Sequence, residues 1–241
     1  MKSQFGLGAI CLYLVFATVS SSAGAAARKV AKPDRPVWEP KVSSYAAPAI
    51  WSGVYAGISA GYGWGSSEQE YNRNDNHGLA STDPSGMLAA ATLGYNYDMG
   101  GGWLLGAEAD LGLMDVSADD KVVYDGHIYK TSFGPWWGTL RARAGYTIDN
   151  TLFYGTAGFA MMAVDEVSVG NTPGETAYNK DVRSGWVLGA GIEHAFAPDM
   201  TVKLEYLHMG FGRYDGLSDN QETFYFDNSV DLIRTGINYK F

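Results

Sequence analysis

The chain has 241 residues with 17 basic and 26 acidic side chains, and its formal net charge of −9 argues against a nucleic-acid partner, because phosphate contacts need basic patches. Glycine (31 residues), tyrosine (16) and tryptophan (7) are abundant, and no segment sustains a helical period of 3.6 residues. Aromatic-rich alternating segments between polar connections predict an all-β chain with one β domain.

Residues 1–27 are predicted to be a cleavable signal peptide. Lys2 provides a positive start, and the apolar stretch 5–19 is shorter than the about 20 residues that a membrane-spanning helix needs. Small residues follow, with a cleavage site at either Ala23-Gly24-Ala25 or Ala25-Ala26-Ala27. An N-terminal membrane anchor is the alternative. Removing the signal removes the only cysteine, so we expect a mature chain without disulfides or cysteine metal ligands.

Residues 28–50 differ in composition from the rest of the chain. Four prolines and five basic residues occur there against two acidic residues. This composition is typical of an extended, poorly ordered periplasmic tail. A basic segment that docks on an anionic component of the envelope is the alternative.

Residues 51–241 contain eight segments with alternating apolar and polar side chains, as in β-strands with two different faces. Tight turns follow the second, fourth and sixth segments, whereas long polar connections follow the others. Short periplasmic turns and long external loops are typical of outer-membrane barrels, so we predict an eight-stranded antiparallel up-and-down transmembrane β-barrel. The predicted strands are 53–64, 86–98, 102–113, 136–147, 151–164, 183–196, 200–211 and 229–241.

Aromatic residues gather where these segments meet the short turns, as in the interfacial girdle of a membrane barrel. His194 and His208 are expected on the same outward face. A soluble lipocalin-like barrel with its apolar face inward is the alternative, but the charged residues at mid-segment favour a polar lumen. The predicted girdle comprises Tyr95, Tyr97, Trp103, Tyr146, Phe153, Phe196, Tyr239 and Phe241.

Four acids and four bases share the minority polar face at mid-segment positions. A lipid-facing Arg or Lys costs about 2–4 kcal/mol near the midplane, so these side chains are predicted to face the lumen. Eight strands enclose a space that side chains fill, and arginines there pair with carboxylates in a plugged lumen. A narrow polar pore for small solutes is the alternative. The predicted network comprises Glu108, Asp110, Arg141, Arg143, Glu193, Lys203, Glu205 and Arg234, with Arg141, Arg143 and Arg234 bracing Glu108, Glu193 and Glu205.

The final segment ends on an aromatic residue that carries the free carboxylate. Ile237, Tyr239 and Phe241 share one face, which we predict to be lipid-facing, whereas Arg234 and Lys240 belong to the lumen side. In a closed barrel this strand pairs with the first. The terminal aromatic pattern resembles the signal by which the barrel-assembly machinery recognises its clients.

Eight stretches in chain order carry a family resemblance: WSGVYAG (51–57), GYGW (61–64), GYNY (94–97), GAEAD (106–110), GTLRARAGY (138–146), GWVLGAGIE (185–193), KLEYL (203–207) and GINYKF (236–241). The chain resembles the outer-membrane immunogenic protein family of small opacity-like, porin-family eight-stranded barrels. The match covers residues 51–241 and departs at His194, where the family pattern usually has an aromatic residue. The resemblance implies an integral, surface-exposed protein of a Gram-negative outer membrane that supports envelope integrity and host-facing interactions.

No organised catalytic group emerges from the histidines, so we expect no enzymatic activity. His77 lies near Asp75 and Asp83 in the first long loop, and His127 lies near Asp125 in the second. An outer-membrane protease could activate water with such a pair. Isolated pairs in acidic loops are nonspecific, and no serine has a nearby histidine in its segment.

The long loops are acidic, and solvated loops are the default interpretation of such charge. Ca²⁺ or Mg²⁺ shared between loop carboxylates and lipopolysaccharide phosphates is the alternative, because hard cations choose oxygen ligands. No loop has an ordered calcium-loop spacing, so no cofactor is predicted. The expected partners are outer-membrane lipid and lipopolysaccharide, the barrel-assembly machinery, and host surface components that contact the loops.

Overall fold

A computed structural model describes residues 49–73, 76–118, 121–123, 127–169, 177–217 and 223–241. The predicted signal peptide and nearly all of the predicted tail lie outside these residues. No helix in the described ranges is long and apolar enough to cross a membrane. The elements are a 3₁₀ helix, η1 (Ala49–Trp51), and the strands β1 (Gly53–Arg73), β2 (Asn76–Thr82), β3 (Ser85–Gly100), β4 (Trp103–Ser117), β5 (Lys121–Val123), β6 (His127–Ile148), β7 (Thr151–Val169), β8 (Ala177–Ala197), β9 (Met200–Leu217) and β10 (Thr223–Lys240).

Eight of these strands close into an antiparallel barrel, which confirms the predicted fold. Neighbours in the chain are neighbours in the sheet, in the order β1, β3, β4, β6, β7, β8, β9 and β10. The last strand returns to the first along an unbroken register from Tyr55 opposite Lys240 to Tyr71 opposite Phe224. In the part of the chain that the structure describes, each of the eight barrel strands is therefore paired on both sides.

The strands are longer than predicted at the long-loop end. β6 begins at His127 rather than at residue 136, and β1 continues to Arg73 rather than to residue 64. There β2 pairs with β1 and β5 pairs with β6, so hairpins extend the wall. The change to polar side chains marks the end of the apolar band, and the predicted strands were ended there. Backbone hydrogen bonding continues beyond that point, because strand pairing does not depend on side-chain polarity.

The turns at the other end are short, as predicted. Gly100, Gly101 and Gly102 have φ values of +84°, +64° and +86°, a region that favours glycine. The Gly100 backbone N–H donates to the Asp98 carboxylate at 2.8 Å, which fixes the turn. This turn joins β3 directly to β4.

The outer wall is apolar along its middle and aromatic near the short turns. Ile58, Leu111 and Phe159 are among its exposed side chains. The predicted girdle residues also lie on this surface, where Trp103 and Tyr146 make an edge contact with ring centroids 5.2 Å apart. A wall of this composition suits contact with lipid rather than water.

The lumen is filled in three layers. At the short-turn end, η1 inserts Ile50 and Trp51 against Leu104, Leu152 and Ala195, which together form the base layer. A charged layer lies above it. Toward the long loops an apolar upper layer follows, consisting of Leu88, Ala90, Met114, Val116, Phe133, Trp137, Ala160, Met162, Val164, Val187, Leu207, Met209, Val230 and Leu232.

The apolar upper layer departs from the predicted alternation of apolar and polar side chains. Around residues 87–90 both faces of the strand are apolar, so alternation by polarity disappears there. An interior of eight strands is filled by side chains and needs no water-compatible lining. Close packing of apolar groups therefore serves this half of the lumen.

Candidate functional site

The charged layer occupies the middle of the lumen and contains all eight residues of the predicted network. Each residue is at most 5% exposed. Their side chains point inward because they alternate along the strands with the apolar residues of the outer wall. The layer consists of Glu108 and Asp110 on β4, Arg141 and Arg143 on β6, Glu193 on β8, Lys203 and Glu205 on β9, and Arg234 on β10.

Strand register places opposite charges side by side. Glu108 is the cross-strand partner of Arg141, and Glu205 is that of Arg234. Lys203 adds a cation from β9, with its Nζ 3.3 Å from both carboxylate oxygens of Glu108. Part of the network is therefore built into the pairing of adjacent strands.

Arg141 extends the network across the lumen. Its Nη1 donates to Glu205 Oε1 at 2.9 Å, and its Nη2 donates to Asp110 Oδ2 at 2.8 Å. The same Nη2 also bonds Glu108. One guanidinium thus ties β6 to β4 beside it and to β9 on another side of the barrel.

Arg234 joins the charged layer to the apolar upper layer. Its Nη2 donates to Asp110 Oδ2 at 2.7 Å, and its Nε donates to Glu205 Oε2 at 2.8 Å. The guanidinium carbon lies 5.6 Å from the ring centroid of Trp137, a cation–π distance. The charged layer and the apolar upper layer therefore adjoin each other at Arg234 and Trp137.

Arg143 lies between two tyrosines that sequence analysis did not assign to the site. Its guanidinium carbon is 4.0 Å from the Tyr154 ring centroid and 5.6 Å from that of Tyr55. Its Nη2 donates to Glu193 Oε2 at 2.7 Å, and its Nη1 donates to Tyr55 Oη at 2.8 Å. Tyr55 Oη in turn donates to Glu108 Oε2 at 2.7 Å.

Glycines on the neighbouring strands are the signal that could have revealed these tyrosines. Gly94 is the cross-strand partner of Tyr55, and Gly191 is that of Tyr154. A Cβ on Gly94 would lie 2.2 Å from Tyr55 Cζ, and one on Gly191 would lie 2.5 Å from Tyr154 Cζ. Each ring therefore lies flat over a strand that has no side chain at that point.

Neutral polar groups complete the hydrogen bonding of the carboxylates. Thr92 donates to Asp110 Oδ1 at 2.6 Å, and Glu193 Oε1 accepts from Thr201 at 2.5 Å and from Asn238 Nδ2 at 2.8 Å. With these bonds every oxygen of the four carboxylates has a donor. Four acids balance four bases, so the layer is neutral and can brace the wall without a bound counter-ion.

The three residues of the predicted assembly signal lie on the outer wall of β10 and at the end of the chain. Ile237, Tyr239 and Phe241 are all exposed, and the Tyr239 and Phe241 rings make an edge contact at 5.3 Å. The Phe241 backbone N–H donates to the Val54 carbonyl of β1 at 3.1 Å. Their role in assembly stays a prediction.

The histidines divide into two pairs. The side chains of His77 and His127 lie outside those that the structure describes, as do Asp75 and Asp125. His194 is exposed on the outer wall with its Nδ1 3.0 Å from Thr151 Oγ1. Among the described residues, no group of three or more His, Cys, Asp or Glu side chains is placed to hold a metal ion.

The apolar wall, the girdle and the closed eight-stranded sheet define an outer-membrane β-barrel protein. Residues 41–241 match the family model described as outer membrane protein beta-barrel domain, and the chain belongs to this family. It is 32% identical over 249 residues to the 31 kDa outer-membrane immunogenic protein of Brucella melitensis biotype 1, covering 96% of this chain and 99% of the relative. The predicted family and its outer-membrane location are confirmed.

A second relative is the 22 kDa outer membrane protein of Rhizobium leguminosarum bv. viciae. The identity is 32% over 193 residues, which cover 79% of this chain and 78% of that protein. Among solved structures the chain is similar to the outer membrane protein OprG from Pseudomonas aeruginosa, with 13% identity and a TM-score of 0.46 over 79% of this chain and 97% of that one.

Proposed function

We propose that this outer-membrane surface protein is a sealed barrel that supports the envelope and presents its long-loop end to the outside, without conducting solutes. The observation that carries the proposal is the charged layer, whose eight members are buried and bonded to one another across the lumen. The barrel acts through its wall and its external surface rather than through a bore.

The energetics of the layer support a seal. A solute that passes through must separate Arg141 and Arg234 from the carboxylates that they share. Removing one partner of a buried ion pair costs about 3–5 kcal/mol, and several such pairs meet here. The apolar layers on both sides add barriers for ions, since apolar constrictions exclude water.

The small-pore alternative makes a different prediction, and planar-bilayer conductance separates the two. We expect folded wild-type protein to add no unitary current above the lipid background, with a general porin as the positive control. The double variant Arg234→Ala/Glu205→Ala keeps the net charge of the protein but removes side-chain volume from the charged layer. If any form of the barrel conducts, this variant should conduct more than the wild type. A steady unitary conductance of the wild type would contradict the sealed barrel.

We infer further that the protein has no catalytic activity and that its partners are lipopolysaccharide, the barrel-assembly machinery and host components at the loops. The relatives' names describe outer-membrane and immunogenic proteins, which supports a structural role. Incubation of the folded protein with peptide and lipid ester substrates tests the first point. Hydrolysis above that of a heat-unfolded sample would refute it.

A further inference from the structure

A small cavity lies inside the lumen, where the base layer meets the charged layer. Trp51 of η1 lines it together with Asn96 of β3, Glu193 of β8 and Asn238 of β10. Each of these four residues is at most 4% exposed. The cavity therefore belongs to the interior of the barrel and not to its outer wall.

Three of the residues that line the cavity carry a buried polar atom without a hydrogen-bond partner among the described residues. These atoms are Trp51 Nε1, Asn96 Oδ1 and Asn238 Oδ1. Buried polar side-chain atoms of native proteins nearly always have a partner, either in the protein or in ordered water. Three such atoms on the residues around one cavity indicate that a small ligand binds between them.

The neighbouring strands offer no side-chain donor to the two amide oxygens. Asn238 Oδ1 lies against Gly57 of β1, and Asn96 Oδ1 lies against Gly106 of β4, so closely that a Cβ on either glycine would collide with the oxygen. Glycine has no side chain that could donate a hydrogen bond. A donor for these oxygens therefore has to come from the cavity.

The size of the cavity limits the ligand to one small molecule or ion. The volume open to the centre of a water-sized sphere is about 10 Å³. A single water needs about that much space and two to four polar partners. The cavity has room for one water, and three lining residues provide the polar partners.

The chemistry of the lining favours water over an ion. The Glu193 carboxylate already accepts from Arg143 at 2.7 Å, from Thr201 at 2.5 Å and from Asn238 at 2.8 Å, and its negative charge disfavours an anion. A cation would face the Trp51 indole N–H, which can only donate. Water can accept from this N–H and donate to the amide oxygens.

We propose that the cavity binds one water molecule, which accepts a hydrogen bond from Trp51 Nε1 and donates to Asn96 Oδ1 and Asn238 Oδ1. Asn238 Nδ2 in turn donates to Glu193 Oε1 at 2.8 Å, so the water connects η1 to the charged layer. Polar contact thereby adds to the packing that holds η1 in the short-turn end of the lumen.

A crystal structure of the folded protein, at a resolution that shows ordered water and with rubidium as the only alkali cation, tests the site. We expect density about 2.7–3.2 Å from the three atoms, without an anomalous rubidium signal. Asn96→Leu keeps a similar side-chain shape and should lose this density. Trp137 Nε1 is the internal control, because it is also buried without a partner but lies in the apolar upper layer, where we expect no water.

Three results of the crystal experiment would overturn the proposal. Wild-type protein without density in the cavity would remove the water itself. Density that persists in Asn96→Leu would show that Asn96 does not hold the ligand. An anomalous rubidium signal in the cavity would make it a cation site.

A double-mutant cycle measures the link between η1 and β3 in solution. Trp51→Phe and Asn96→Leu each release the water, so their losses in the equilibrium constant for folding should overlap by about tenfold in the double variant. Trp51→Phe with Thr82→Val is the control, because Thr82 bonds Thr131 at 2.9 Å toward the long loops. Those two losses should multiply to within about twofold.

Heat-modifiable gel mobility shows first that each variant is folded, and urea unfolding in lipid vesicles gives the constants. Losses of Trp51→Phe and Asn96→Leu that simply multiply would contradict the shared water. None of these outcomes bears on the sealed lumen, which conductance tests separately.

Discussion

Two arginines of the charged layer, Arg141 and Arg234, each bond carboxylates from more than one strand. Arg141 and Arg234 each contact carboxylates on β4 and on β9, so two side chains connect much of the circumference. Buried ion pairs do not by themselves make a protein more stable than apolar packing does. A buried ion pair does, however, make any strand pairing that leaves one partner unpaired much less stable. The charged layer therefore favours a single register of the barrel strands.

Arg234→Met tests this penalty at the residue scale. The substitution leaves Asp110 and Glu205 buried without one of their donors, and we expect the free energy of unfolding to fall by about 3 kcal/mol. Urea unfolding in lipid vesicles measures it. Arg213→Met is the matched control, because Arg213 is exposed and its guanidinium carbon lies 3.7 Å from the ring centroid of Tyr225. Loss of this exposed cation–π contact should lower the free energy of unfolding by less than about 1 kcal/mol. Equal losses in the two variants would argue against the arginine as a structural hub.

At the scale of elements, η1 closes the short-turn end of the lumen. It is three residues long, yet Trp51 is almost fully buried in the base layer. So short a helix is held by packing rather than by its own hydrogen bonds. The strands provide the receiving surface through Leu104 of β4 and Leu152 of β7.

Trp51→Ala should separate stability from sealing. Loss of a buried tryptophan leaves a cavity, and we expect the free energy of unfolding to fall by about 3–5 kcal/mol. Trp51→Phe keeps much of the ring and should cost less. Neither variant should conduct in planar bilayers, because the charged layer above still fills the lumen. Current through folded Trp51→Ala would show that the base layer is the seal.

The whole molecule depends on pairing its last strand with its first. The β1–β10 register runs the length of the wall, and the chain ends on Phe241 at the girdle. Phe241 is 76% exposed, so it buries little surface in the finished barrel. Its packing against the rest of the protein is therefore slight, which leaves contact with lipid and the predicted role in assembly.

Deletion of Phe241 should hinder membrane insertion more than it weakens the folded protein. We expect the heat-modifiable fraction in outer membranes to fall severalfold, while the unfolding free energy of refolded protein falls by no more than it does in Phe196→Ala. Phe196→Ala removes another exposed girdle aromatic and serves as the control for general loss of lipid contact. Normal assembly of the truncated chain would refute the predicted signal.

Patterns that need only local geometry were predictable from the sequence. Side chains alternate strictly along a strand, so polarity alone separated the outward Ile237 from the inward Arg234. The same parity places Asp231 with Ile233 and Ile237 on the outer wall. Asp231 is therefore an acidic residue on the lipid-facing side of a predicted strand, and sequence analysis did not assign it to any site.

The sequence by itself determined the eight main strands, their two faces and the identity of the charged lumen residues, because a period of two is a property of each strand alone. Only the tertiary structure decided which carboxylates share a hydrogen-bond donor and that Tyr55 and Tyr154 flank Arg143. It also decided that η1 fills one end of the lumen and an apolar layer fills the other. These contacts join residues far apart in the chain, so they exist only once closure and register have brought the strands around one axis.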